Sequence, residues 1–165
     1  MNWTAFASPQ WQPLSHALAA SVRRDVIDIL NRGGDIVTGG APGVDHIAIS
    51  TALEIDPTAK HLHVILPTSL ETYSKHLAAA ARAGRVDPLQ AQSLTEQFEF
   101  LKRANPGVFV EMNRPECDAE AYRIRNDLIL ETANTLFSYK PDGAKQVVKI
   151  THRPPLTTLL HRAHV

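Results

Sequence analysis

One cysteine, Cys117, stands among 165 residues, so no internal disulfide can form. A reducing cytoplasm is therefore the expected compartment. Cys117 could be a nucleophile, but no His or Asn lies at a recognisable spacing from it, so a structural or incidental role is expected. An excess of charge of one sign is missing too, since 17 Lys and Arg balance 17 Asp and Glu. That balance excludes the global basic field of a dedicated nucleic-acid binder and leaves only local patches. No run approaches the roughly 18 apolar residues that span a bilayer. Residues 1–6 carry neither a basic stretch nor a long apolar core, so neither a secretory leader nor a membrane partner is expected.

What is present describes a globular protein. Hydrophobic residues make up 44% and charged residues 21%, the composition of a chain that folds around an apolar core. One domain is the natural expectation at this length, without metal or disulfide staples. We read it as residues 1–150, followed by a tail or short helix over 151–165.

The most informative stretch runs from Asp35 to His46. Ile36 and Val37 suit a buried strand. Gly39 and Gly40 follow, then Ala41, Pro42 and Gly43, and apolar residues at Ile47, Ala48, Ala52 and Leu53 recur with helical spacing. A strand, a glycine turn and a helix start together aim backbone N–H groups and a positive helix end at one spot, which suits a phosphate. Tight packing of strand on helix is the bland alternative. Thr38 can add a hydroxyl donor. Asp45 can cap backbone N–H groups or bond a sugar hydroxyl. The stretch matches neither the dinucleotide fingerprint, because Thr38 replaces its first glycine, nor the P-loop, because no Gly-Lys-Ser/Thr follows.

Thr38-Gly39-Gly40-Ala41-Pro42-Gly43-Val44-Asp45 resembles the Ser-Gly-Gly-Ala-x-Gly-Ile/Val-Asp signature of the SLOG superfamily. Its members include the DNA-processing protein A, YpsA-like and LONELY GUY proteins. Tyr122-Arg123-Ile124-Arg125-Asn126-Asp127 resembles the Arg-Asn helix that comes later in that family. The resemblance spans residues 3–139, with only these two motifs specific. It implies a Rossmann-like domain that binds nucleotides or nucleotide-derived ligands, with the Arg-Asn helix facing the glycine turn. Arg125 would then pair with a phosphate. A salt bridge from Arg125 to Asp127 or Glu131 is the competing use, and Asn126 inside a helix hints at a tertiary hydrogen bond. The LONELY GUY segment Pro-Gly-Gly-x-Gly-Thr-x-x-Glu is absent, and residues 140–145 keep one glycine, Gly143. This removes the main support for N-glycoside hydrolysis, and no catalytic residue is assigned.

The remaining elements read in order. Trp3 to Ser8 is a candidate first strand, with Ser8 a weak ligand candidate at its exit. Pro13 suits a first helical turn, followed by a stripe at Leu14, Leu18, Val22, Val26 and Leu30. Residues 61–66 form a strand, left through Pro67 and Thr68, both weak ligand candidates. His61 and His63 share one strand face, but two ligands fall short of a metal site. Helices are expected over 70–83, 86–104 and 119–132, and strands over 108–110 and 135–139. Residues 147–150 are a possible hairpin partner of the last. The expected fold is a three-layer α/β domain with a mostly parallel sheet of about five strands. The expected partner is a nucleotide or nucleotide-derived small molecule, bound without a cofactor or metal, by a chain that can form a homodimer. Nucleoside-phosphate hydrolysis and single-stranded DNA binding are the alternatives. The basic tail after Lys140 has no aromatic platform for bases, so its leucines are expected to pack instead. Gly40→Asp is expected to abolish nucleotide binding and leave the fold intact.

Overall fold

The computed structural model describes residues 3–7 and 15–150. Ser8, Pro13 and the tail from Thr151 lie outside them. In chain order the elements are β1 (Trp3–Ala7), α1 (His16–Asn31), β2 (Asp35–Thr38), α2 (Val44–Ile55), β3 (Leu62–Leu66) and α3 (Leu70–Arg82). α4 (Pro88–Ala104), a 3-10 turn (Pro106–Val108), β4 (Phe109–Glu111), α5 (Ala119–Thr132), β5 (Thr135–Tyr139) and β6 (Lys145–Lys149) complete them.

Local chemistry sets most of the helix starts. Ser15, Ser69, Asp87 and Asp118 each accept a backbone N–H of the first helical turn, a cap that contributes about 1 kcal/mol. α1 begins at His16, because Ser15 supplies the acceptor that starts it. Ser15 also donates its hydroxyl to the carbonyl of Pro141, 2.7 Å away, and so fastens α1 to the β5–β6 turn.

The strands form one sheet in the order β4-β3-β2-β1-β5-β6. All pairs are parallel except β5–β6, which are antiparallel. Six strands stand where about five were expected, because 145–149 does pair with 135–139. The chain runs outward from β1 through β2 and β3 to β4, then returns to the other flank of β1 as β5. Strand order therefore reverses beside β1, and in such sheets ligands bind outside the carboxyl ends of the strands. This is a Rossmann-like α/β fold.

Alternation along each strand sorts the core. Phe6, Ile36, Val64 and Leu66 join Leu18 and Val22 of α1, Ile47 of α2, Tyr73 of α3 and Phe98 of α4 in one cluster. Trp3, Ala5, Val37 and Ile65 join Leu128 and Ile129 of α5 in a second.

Candidate functional site

The glycine turn leaves the carboxyl end of β2 and enters α2 at Gly43, the N-cap residue. Three of the N–H groups offered by the sequence to a ligand are used internally. Gly39 and Ala41 donate to the Asp45 carboxylate at 2.9 and 3.1 Å, and Gly40 donates to the Thr38 hydroxyl at 3.3 Å. Pro42 has none to give. Asp45 therefore braces the turn. Being turned back, it does not cap its own helix, and Gly43 provides no side-chain acceptor to the first-turn N–H groups. Those groups and the positive end of the helix are the part of the motif that can meet an anion.

Arg125 reaches this place from α5. Its guanidinium donates from Nη1 to the Gly39 carbonyl and lies over the Tyr122 ring, 5.3 Å from Cζ to the centroid. Arg125 is 6% exposed, and its Nε has no hydrogen-bond partner. Glycine at position 39 leaves room for that guanidinium, which a Cβ there would overlap. Asp127, one of the carboxylates the sequence offers to Arg125, pairs instead with Arg123, which also meets Glu120. Burial pushes the Asp45 carboxyl up, and the nearby Arg125 charge and the two N–H donors oppose it. Tyr73 of α3 closes the underside, donating its hydroxyl to the Gly40 carbonyl at 3.0 Å.

A side chain at Gly40 would face the core. The glycine's φ is +66°, and a Cβ would stand 2.9 Å from Phe98 and 3.1 Å from both Leu66 and Val64. Gly40→Asp would drive a carboxylate into the core, so the expectation of an intact fold is corrected. Thr38 is buried and Ala41 and Pro42 are half-buried. Pro67 and Thr68 are buried at the end of β3, with the Thr68 hydroxyl donating to the Ser69 carbonyl at 3.2 Å. Asn126 is exposed, one residue round the helix from Arg125, so no buried tertiary bond holds it. Cys117 is half-buried near this cluster, and burial pushes its thiol up, which makes it a poor nucleophile.

Two groups escaped the sequence reading. At the amino edge of the sheet, Asp35 binds His61 Nδ1 at 2.7 Å and His63 Nε2 at 2.8 Å, and His63 stacks on Trp3 with centroids 4.0 Å apart. The carboxylate is distant in sequence but adjacent in register, since Val37 pairs with His63. Among the described residues no group of three or more His, Cys, Asp or Glu side chains, this one included, is arranged to hold a metal ion. The second group is His46, in the first turn of α2, whose Nε2 is 3.5 Å from the Ser93 hydroxyl of α4. Burial lowers its pKa by disfavouring the charged ring.

Among the described residues no helix is long and apolar enough to cross a membrane. No protein-family model matches the chain, and no curated protein matches it significantly.

Proposed function

We propose that this chain is a non-catalytic binding or sensing domain of the SLOG kind. It takes the phosphate of a nucleotide or nucleotide-derived ligand at the first turn of α2, beside Arg125. In this reading the domain has three layers, with α1–α4 over one face of the sheet and α5 over the other. The observation that carries the proposal is the buried Arg125, whose Nε is unpaired beside a helix start without a side-chain cap. A buried guanidinium with an unused donor is costly unless something accepts from it. An anion at the helix start accepts from Arg125 and the first-turn N–H groups together. The support moves the ligand from the turn itself, whose N–H groups serve Asp45 and Thr38, to Gly43, Val44 and Arg125.

Thermal melting with AMP, ADP-ribose and inorganic pyrophosphate tests this. Ligand at a hundred times its Kd stabilises the native state by about 2.7 kcal/mol, a rise of roughly 5–10 °C for a chain of this size. Arg125→Gln is expected to remove the rise. The pH dependence has a definite sign. A bound phosphate adds negative charge beside Asp45 and raises its pKa further, so binding is tighter while Asp45 is protonated and weakens as pH rises. Asp45→Asn should remove that component. No stabilisation by any of the three probes, or equal stabilisation of Arg125→Gln, contradicts the proposal.

A further inference from the structure

α4 is the least family-like part of the sequence, yet it stands against the ligand-facing end of α2. Two polar pairs fix how the helices lie. His46 meets Ser93 at 3.5 Å, and Ser50 accepts from Gln97 Nε2. Both pairs are separated by 47 residues, so the helices run parallel and in step. Continuing that register by one turn sets Gln90 level with Gly43, the N-cap of α2.

The seam carries polar atoms without partners. His46 Nδ1, Gln90 Oε1 and Gln97 Oε1 are all buried and unbonded. Three such groups along one helix contact call for hydrogen-bond partners from outside the chain, water or ligand. Gln90, Ser93 and Gln97 repeat at i, i+3 and i+7, so they form one polar stripe along α4. Leu94, Phe98 and Leu101, on the neighbouring stripe, enter the core instead.

We infer that the facing edges of α2 and α4 form a second compartment of the anion site, in which His46, Ser93 and Gln90 bond the hydroxyl groups of a sugar phosphate. The inference rests on the phosphate reading given above. His46 follows Asp45 in the first turn of α2, and Gln90 lies level with the N-cap, so a group attached to a phosphate at that helix start reaches this seam first. A hydroxyl both donates and accepts, and it satisfies the imidazole in either tautomer as well as the Gln90 carbonyl.

Ribose 5-phosphate and inorganic phosphate, titrated by calorimetry into the wild-type chain and a Gln90→Leu, Ser93→Ala double variant, separate the possibilities. The wild type should prefer ribose 5-phosphate by about tenfold or more, the worth of one or two hydroxyl hydrogen bonds. The double variant should hold inorganic phosphate with unchanged affinity and lose most of that preference. The His46 ring resonances should shift further with ribose 5-phosphate than with inorganic phosphate, a measurement that needs no substitution. If phosphate binds but the wild type shows no preference, or the double variant keeps it, the seam holds only water and the inference fails while the anion site stands. If neither probe binds the wild type, both fall.

Discussion

The two adjacent glycines, Gly39 and Gly40, serve opposite purposes. Gly39 leaves room for Arg125, whose long side chain can swing aside, whereas Gly40 has a positive φ and rigid core atoms in front of it. Their alanine variants should therefore separate function from stability. Gly40→Ala should cost about 2–4 kcal/mol, from left-handed backbone and overpacking together. Gly39→Ala should cost about 1 kcal/mol, the value of the displaced hydrogen bond, and should abolish binding at the proposed phosphate site by moving the guanidinium. Urea unfolding paired with pyrophosphate titration reads both numbers. A stable Gly40→Ala, or a Gly39→Ala that still binds, reverses the assignment. Both glycines were legible in the sequence as a close approach. Their different neighbours were not, because Arg125 and Phe98 arrive from 86 and 58 positions further along the chain. Asp45 was legible as a capping residue but not in the direction it caps.

The helices were legible because their ends carry local chemistry. Asp87 before Pro88, Ser69 and Asp118 are acceptors placed where first-turn N–H groups need them. Pairings between elements leave no such mark. The Asp35 contact with two histidines and the in-step register of α2 and α4 come from strand register and helix packing. So does the buried Asp25 of α1, which takes the Tyr139 hydroxyl at 2.8 Å and pairs with Lys145 at 2.8 Å. Both strands of the β5–β6 hairpin thus hang on one carboxylate. Asp25→Ala should cost about 3 kcal/mol, since it leaves a buried phenol and an ammonium without their acceptor. Tyr139→Phe should cost about 1 kcal/mol. Equilibrium urea titrations measure the pair, and a loss below that of Tyr139→Phe for Asp25→Ala would show that the hairpin is held by packing alone.

For the whole molecule, the sheet order has a consequence in time. β1 precedes the other five described strands in the chain but sits inside the sheet, with β2 on one flank and β5 on the other. Its backbone is joined to the α5–β5 junction at both ends of one contact, as Trp3 N–H donates to the Asn134 side chain and Asn134 N–H to the Trp3 carbonyl. Contacts so far apart in sequence close late and slow the folding of a chain. Until Thr135 and its neighbours have been synthesised, a nascent chain can complete β4-β3-β2-β1 and still present the open edge of an apolar strand, Trp-Thr-Ala-Phe-Ala. Such an edge templates pairing with other chains. A chain ended after residue 134 should accordingly form aggregates by light scattering, and a soluble monomer with a cooperative melt would contradict this. The hazard in this protein lies in an interval of its synthesis, and whatever shields nascent chains must hold this one until β5 has emerged.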